Sequence, residues 1–421
     1  MIHCFEILPG ITLRCFPDTR FKQGALSIQF LRQMRREEAA MNALLPAVLL
    51  RGSSRHPDLR SITWHLDDLY GASTGALVRR VGDYQTTGLY CGFMDDRFAL
   101  PGDKILEPMI AFLEELLLSP ATENGIFRKD YVESEKKNLI ATLESERNDK
   151  RSYANARMLR TMCREDPFGI PRLGEKEQVA AITPAGLYDH YRKVLATSPV
   201  NLFYVGPAAP ETICRLLKGL FEKLDRTCQF LPPQTPFHDC GGKDWSESME
   251  VAQGKLCMGF ATPITIRDED FVAMQMFNTI FGSGMTSKLF MNVREKMSLC
   301  YDIGSGFHGS KGILTVSAGI DFDKEQTVRQ EVLAQLDACC RGEISPRELK
   351  AAREALLSSL RGTHDSPGAI ESYYSAAALS GMKLTPEEYM AAVERTEVSG
   401  IVRAASSLKL HTVFFLKGVG V

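Results

Sequence analysis

The sequence has no excess of charge of either sign, because 50 lysine and arginine residues are balanced by 52 aspartate and glutamate residues. Binding to nucleic acid or to a membrane surface depends on concentrated basic side chains, and this balance gives no support to either. The sequence also lacks any apolar run of the ~18–20 residues that a membrane-spanning helix needs. The opening stretch MIHCFEILPGITLRCF lacks the basic segment and sustained apolar run of a secretory signal. We therefore expect no nucleic-acid and no membrane partner.

Cysteine pairs and histidine pairs at metal-binding spacing are absent as well. The 11 cysteines form no C-x-x-C motif, and the adjacent Cys339 and Cys340 lie in a helical pattern that suits no disulfide. Reduced thiols of this kind are typical of a cytoplasmic protein, which is the localisation we expect. The closest two of the eight histidines, His56 and His65, are nine residues apart, which is too far for one helical metal site. We expect no metal and no cofactor.

The composition and the order of predicted elements indicate a duplicated α+β protein. The chain has 421 residues, 44% hydrophobic and 24% charged, which suits two or more domains. Strand-like SPVNLFYV ends a first half at Val205, and TVFFL ends a second half at Leu416, so the period is about 200 residues. We predict a first half over 1–224, a proline- and glycine-rich linker over 225–247, and a second half over 248–421. Each half is expected to be one sheet with helices packed on one face.

Periodicity predicts the individual elements. The expected strands are Ile11–Phe16, Ala25–Leu31, Ala76–Val81, Thr87–Phe93, Ser198–Val205, Lys255–Thr262, Ile313–Ile320 and Thr412–Leu416. The expected helices are Ala39–Leu50, Leu59–Leu69, Ile105–Leu118, Phe127–Arg147, Phe271–Ile280, Met285–Lys296, Thr327–Cys340 and Ser345–Leu360. The paired glycines of Phe281–Gly284 predict a turn before the sixth helix, and a strand-like run starts near Leu299.

Two side chains in this last region can act together on a ligand. Arg294 stands near a predicted helix end and Tyr301 near a predicted strand start, seven residues later. A guanidinium and a phenolic hydroxyl held at this spacing can both donate to one carbonyl oxygen. Spacing alone nevertheless favours an ordinary arrangement, in which Arg294 pairs with a surface carboxylate and Tyr301 is packed with a satisfied hydroxyl.

The segment SKLFMNVREKMSLCY resembles a helix-and-strand signature of the insulinase/pitrilysin peptidases, also called inverzincins. The matching positions are Ser287, Leu289, Phe290, Arg294, Glu295, Leu299 and Tyr301. The resemblance implies that Arg294 and Tyr301 contact a peptide substrate opposite a zinc site. It also implies that the two halves form a clamshell.

The zinc-binding half of that resemblance is degenerate. Family members carry H-x-x-E-H on a helix, in which two histidines hold Zn²⁺ and the glutamate activates the bound water. The matching positions here are Ala43, Pro46 and Ala47, none of which can bind a metal or transfer a proton. The distal glutamate ligand of the family falls near Thr142, beside which Glu133, Glu135 and Glu144 remain. Pro46 is also expected to disturb the helix interior.

Some members of this family act as pairs of chains, in which one chain binds zinc and the other supplies the Arg and Tyr. The resemblance therefore implies a non-catalytic subunit that binds a peptide or unfolded polypeptide and joins a zinc-bearing paralogue in a heterodimer, or forms a homodimer. In detail, three segments resemble a family member associated with the aminopentanol modification of elongation factor P: PAVLLRGSSRHPD, LDDLYGA and NDKRSYANAR. A link to that modification follows from the same resemblance.

Two other functions remain open. The chain could be a structural or chaperone-like subunit without a role in proteolysis, in which case Arg294 and Tyr301 would face packed protein. It could also be an independent hydrolase using other residues, although no nucleophile and base stand at a recognisable spacing.

Overall fold

The computed structural model describes residues 2–419. Its strands are, in chain order, β1 (His3–Leu8), β2 (Ile11–Pro17), β3 (Gln23–Gln33), β4 (Ser73–Val81), β5 (Tyr84–Met94), β6 (Thr122–Glu123), β7 (Ile126–Phe127), β8 (Val200–Gly206), β9 (Asp244–Ser248), β10 (Gly254–Ala261), β11 (Asp302–His308), β12 (Ile313–Ile320) and β13 (Lys409–Lys417).

Its α-helices are α1 (Arg36–Leu49), α2 (Leu59–Asp68), α3 (Leu106–Leu118), α4 (Lys129–Glu146), α5 (Lys150–Met162), α6 (Lys176–Ala181), α7 (Pro184–Thr197), α8 (Pro210–Phe221), α9 (Phe271–Phe281), α10 (Glu325–Cys340), α11 (Pro346–Arg361), α12 (Pro367–Ser380), α13 (Pro386–Arg395) and α14 (Val398–Ser406). A π-helix covers Leu289–Lys296. The predicted strands and helices are present with shifted ends, and the predictions missed β1, β6, β7, β9, α5–α8 and α12–α14.

The chain forms two compact units. Unit 1 runs to Leu143 and adds Ile170–Pro233 and His364–Ala376. Unit 2 consists of Glu144–Gly169, Gln234–Thr363 and the chain from Ala377 onward. The predicted boundaries at 224 and 248 therefore describe the sequence halves and not the units, because each half gives one helical segment to the other unit.

Both units repeat one sheet topology. In unit 1 the strands lie in the order β1-β2-β8-β3-β5-β4, and only β2 and β8 run parallel. In unit 2 the order is β11-β12-β10-β13-β9, and only β13 and β9 run parallel. Reading β2-β8-β3-β5-β4 against β9-β13-β10-β12-β11 gives the same connectivity. The α+β class and the internal duplication predicted from the sequence are confirmed.

The sheet of unit 1 is covered on both faces. Along β3, Leu26, Ile28 and Phe30 alternate into the main apolar core, which also contains residues of α1 and α3. The polar neighbours Ser27 and Gln29 point to the opposite face, where they are buried. The expectation of helices on one face is therefore incomplete for this sheet.

The second face of unit 1 is covered by α12, which comes from the other sequence half. Its Glu371 is fully buried and accepts hydrogen bonds from Ser27 Oγ at 2.7 Å and Gln29 Nε2 at 2.8 Å. Arg79 of β4 approaches the same carboxylate through both terminal nitrogens, at 2.9 and 2.8 Å. Buried polar groups are tolerated when each finds a partner, so this network can hold α12 against a polar sheet face.

The second face of the unit 2 sheet is covered by α5. Met158 and Met162 of α5 are fully buried against Cys257 of β10 and Phe414 of β13. A Cβ on Gly259 would lie 2.7 Å from both methionine sulfurs, so only glycine allows this close approach. The helices α5 and α12 thus occupy equivalent positions in the two sequence halves, and each packs in the unit formed mainly by the other half.

Candidate functional site

The signature segment of unit 2 folds as a π-helix followed by a tight reversal. Met297 N donates to Asn292 O at 3.0 Å, five residues back, as a π-helix requires. Ser298 then has a φ of 52°, a left-handed conformation uncommon for a residue other than glycine. The prediction of an ordinary helix over Met285–Lys296 and a strand from near Leu299 is wrong in this detail, because hydrogen bonding and not side-chain spacing decides the helix type.

The reversal brings Arg294 against Tyr301. Arg294 Nε donates to the main-chain carbonyl of Tyr301 at 2.9 Å. The guanidinium carbon lies 4.6 Å from the centre of the Phe290 ring, and Nη1 lies 3.1 Å from Glu295 Oε1. The planar guanidinium is therefore fixed by a carbonyl, a carboxylate and an aromatic face.

Tyr301 is oriented by a residue from a later part of the chain. Its side chain is exposed, and its hydroxyl donates to Asp321 Oδ1 at 2.8 Å. Lys324 Nζ lies 2.7 Å from Asp321 Oδ2. The hydrogen bond to Asp321 raises the pKa of the Tyr301 phenol, while Lys324 and then Tyr301 lower the pKa of the Asp321 carboxyl. At neutral pH the phenol is therefore protonated and the carboxyl ionised.

These side chains line an open surface cavity of about 390 Å³ in unit 2. Its lining residues are Arg294, Glu295, Ser298, Leu299, Cys300, Tyr301, Asp321 and Lys324. The cavity carries a guanidinium, an ammonium, two carboxylates and a phenol, which together offer both donors and acceptors to a polar main chain. Sequence spacing left open whether Arg294 and Tyr301 act together and favoured an arginine paired with a surface carboxylate, which Glu295 provides. It missed Asp321 and Lys324.

The cavity lies next to an edge strand. Tyr301 directly precedes β11, which pairs with β12 on one side only. In the middle of its outer edge, Ser305 N donates to Gly282 O at 3.0 Å. The part of this edge nearest the cavity is thus the start of β11, from Asp302.

The degenerate zinc-motif positions lie in unit 1. Ala43 and Pro46 are buried in α1 and Ala47 is half-buried, while Thr142 is exposed on α4, where its hydroxyl donates to Asn138 O at 3.0 Å. The helix continues through Pro46, so the proline does not interrupt it. Across residues 2–419 no group of three His, Cys, Asp or Glu side chains is placed to hold a metal ion.

The polar side of α1 is filled by other contacts. Asn42 donates to Gln85 Oε1 at 2.9 Å, and its own Oδ1 lies 2.7 Å from His190 Nε2. All three side chains are buried. Burial lowers the pKa of His190 to about 4, so the imidazole is neutral at pH 7. This network occupies the helix one residue before Ala43.

No helix within residues 2–419 has the length and apolar character needed to cross a membrane.

This duplicated α+β architecture resembles that of insulinase-type peptidases, as comparisons with known proteins show. A family model described as the peptidase M16 inactive domain matches residues 181–356. The probable inactive metalloprotease YmfF of Bacillus subtilis is 29% identical over 409 residues, which cover 97% of this chain and 96% of the relative. An uncharacterized zinc protease of Rickettsia felis is 22% identical over 297 residues, covering 69% of this chain and 71% of the relative.

Solved structures agree with this fold. A conserved protein from Enterococcus faecalis V583 superposes with a TM-score of 0.91 at 28% identity, covering 99% of this chain and 98% of that one. A peptidase M16 inactive domain from Pseudomonas fluorescens has a TM-score of 0.81 at 17% identity, covering 100% and 98%. These matches support the resemblance to inactive insulinase-type (M16) peptidases that the sequence analysis found.

Proposed function

We propose that this chain is the zinc-free subunit of an insulinase-type peptidase, and that it binds an extended peptide in the Arg294–Tyr301 cavity. The observation that carries this proposal is an asymmetry between the units. The motif positions Ala43, Pro46 and Ala47 offer no metal ligand, while Arg294 and Tyr301 line an open cavity. A non-catalytic subunit that binds substrate needs the peptide-contacting side chains but not the metal ligands.

The cavity suits a peptide main chain better than a particular side chain. An extended peptide presents alternating carbonyl and N–H groups, and the cavity presents a fixed guanidinium beside a phenol and two carboxylates. The start of β11 lies next to Tyr301, so a bound peptide can continue as an added strand there. Main-chain binding of this kind gives affinity with little demand on sequence.

The catalytic zinc then has to come from a second chain. A paralogue with an intact H-x-x-E-H helix would hold the ion and the water, and this chain would supply Arg294 to the substrate carbonyl. A guanidinium fixed in advance by Tyr301 O and Glu295 loses little freedom when the peptide binds. A homodimer is the state we propose when the paralogue is absent.

The test is reconstitution with a zinc-bearing paralogue from the same cell. The two chains are co-purified, and cleavage of an unstructured peptide is measured for the wild type and for Arg294→Ala combined with Tyr301→Phe. We expect kcat/KM to fall by about 10²-fold or more, as loss of a preorganised donor does elsewhere. The control is Arg341→Ala, an exposed arginine of unit 2 that pairs only locally with Glu343.

The outcomes separate the two candidate roles. Loss of cleavage with intact assembly supports the peptide-contacting subunit, provided that Arg341→Ala cleaves normally. Unchanged kcat/KM in the double variant contradicts it and leaves a structural subunit as the better account.

A link to elongation factor P modification is a further part of this proposal. It is supported by three sequence segments, Pro46–Asp58, Leu66–Ala72 and Asn148–Arg157. The mass of elongation factor P from cells with and without this gene tests it. We expect the modified mass to disappear in the deletion strain, and an unchanged mass would contradict the link.

A further inference from the structure

The hydroxyl hydrogen of Tyr301 is committed to another residue. Tyr301 Oη donates to Asp321 Oδ1 at 2.8 Å, and an ionised carboxylate can only accept. Lys324 contacts the other carboxylate oxygen at 2.7 Å and keeps Asp321 in its charged form. A tyrosine hydroxyl has one hydrogen and also accepts, so the side of Tyr301 Oη that faces the cavity presents lone pairs.

Arg294 has the opposite character. A guanidinium carries five N–H donors and no acceptor. Two contacts are made within the protein, from Nε to Tyr301 O and from Nη1 to Glu295, and the group lines the cavity. The two signature side chains therefore differ in what they offer a ligand, one donating and the other accepting.

We propose that Tyr301 accepts a main-chain N–H of the bound peptide while Arg294 donates to a main-chain carbonyl, with Asp321 as the positioning residue that sets this direction. This inference rests on the peptide-binding role proposed above and adds to it a substrate class: an extended chain with a free amide N–H at the position that meets Tyr301. Proline or an N-alkylated residue at that position is rejected, because it has no hydrogen to donate.

A peptide without this N–H binds weakly because two hydrogen-bond acceptors, its own atom and the phenolic oxygen of Tyr301, then face each other. If the peptide has an ester or a tertiary amide at this position, the phenolic oxygen meets no donor and its own hydrogen remains on Asp321. Sites built to pair a polar group discriminate strongly against analogues that lack the partner. Removal of Asp321 frees the phenol to rotate and donate, so the discrimination depends on Asp321 acting through the phenol.

The test is an ester scan of one fluorescently labelled, unstructured alanine- and leucine-based peptide. One amide N–H at a time is replaced by oxygen, and the affinity of the isolated full-length chain is measured by fluorescence anisotropy. For the wild type we expect one position at which the ester weakens binding about tenfold, the size of one lost charge-assisted or well-placed hydrogen bond. Other positions lose less.

The variants identify the acceptor. In Tyr301→Phe the penalty at that position disappears. In Asp321→Ala it falls below about twofold, because the freed hydroxyl can donate to the ester oxygen. In Asp321→Asn part of the penalty remains, since the amide oxygen still accepts from the phenol. Both residues are partly exposed, so thermal melting is expected to be unchanged in all three variants.

The failure of each proposal gives a different result. An ester penalty that is the same in wild type and Tyr301→Phe, with Arg294→Ala still weakening the all-amide peptide, overturns this inference alone. A wild-type scan in which no ester weakens binding also overturns this inference alone. An all-amide peptide that does not bind, or that binds Arg294→Ala as well as wild type, overturns both this inference and the peptide-binding function.

Discussion

Lys311 Nζ lies 2.9 Å from Asp166 Oδ2 in unit 2, and both side chains are almost completely buried. Lys311 follows β11, whereas Asp166 follows α5 in the segment that the first sequence half contributes to this unit. Asp166 also accepts from Phe168 N at 2.8 Å. A buried ion pair therefore joins the exchanged segment to the sheet beside which the Arg294–Tyr301 cavity lies.

We predict that Lys311→Met lowers the stability of unit 2 by about 3–5 kcal/mol, because it leaves a buried carboxylate without its counter-ion. The two tryptophans allow each unit to be followed separately, since Trp64 lies in unit 1 and Trp245 in unit 2. In urea the transition reported by Trp245 should move to lower concentration, and the one reported by Trp64 should move less. The control is Lys350→Met at an exposed position. Equal midpoints for Lys311→Met and wild type would contradict this role.

A second prediction concerns the exchanged helix of unit 1. Glu371→Gln removes the charge that Arg79, Ser27 and Gln29 share, so hydrogen exchange of the α12 amides should accelerate about tenfold or more. Glu394→Gln on the exposed side of α13 is the matched control. Exchange rates in α12 that match those of the control would show that apolar packing and not the polar network holds the helix.

A third prediction concerns acid stability. His190 has a folded-state pKa of about 4, below its usual value of about 6.5. Between these two pH values the imidazole is protonated in the unfolded chain and neutral in the folded chain. Stability from this group is complete above about pH 6.5 and is lost as the pH falls toward 4. His190→Gln should remove on the order of 2 kcal/mol of the loss between pH 7 and pH 5, measured by urea denaturation through Trp64.

Glu38 adds a separate loss at lower pH. Burial opposes its ionisation most strongly, but ion pairs with Lys193 and Arg32, each at 2.6 Å, together hold its pKa at about 2. Its contribution is present above about pH 4.5 and disappears as the pH falls toward 2, so it does not affect the interval chosen for His190. His238→Gln, at an exposed position, is the control. An unchanged pH profile in His190→Gln would contradict this prediction, because it would show that folding does not shift the pKa of the histidine.

Much of this fold could be predicted from local patterns. Alternation and the Gly82-Asp83 turn predicted the β4–β5 hairpin, and the matching ends of the two halves predicted the duplication. The contact between Arg294 and Tyr301 is also local, since it spans seven residues across a helix end, although spacing alone favoured an arginine paired with a surface carboxylate. Such features depend on neighbours in sequence.

The missed features depend on long-range pairing. The predictions missed α5 and α12 altogether. A helical pattern also does not show which sheet a helix packs against, so the exchange between units could not be predicted. Asp321 reaches Tyr301 because β11 and β12 pair with Asp302 opposite Gly319, a register that no sequence spacing reveals. The π-helix likewise depends on a hydrogen-bond choice that side-chain periodicity does not encode.

A fourth prediction concerns metal content. Because α1 offers alanine, proline and alanine at the motif positions, tag-free protein should contain far less than one zinc per chain by atomic emission. Added zinc should leave the melting temperature unchanged, since a ligand stabilises only a fold that binds it. Stoichiometric zinc that survives dialysis would contradict the assignment of α1 as a degenerate motif.

The most direct test of metal-free peptide binding is the affinity of the isolated chain for an unstructured labelled peptide in the presence of a chelator. We predict that the wild type binds equally well with and without the chelator, and that Arg294→Ala weakens binding about tenfold or more. Arg341→Ala should bind as the wild type does. Binding that requires zinc, or an affinity unaffected by Arg294→Ala, would contradict the proposed peptide-binding cavity.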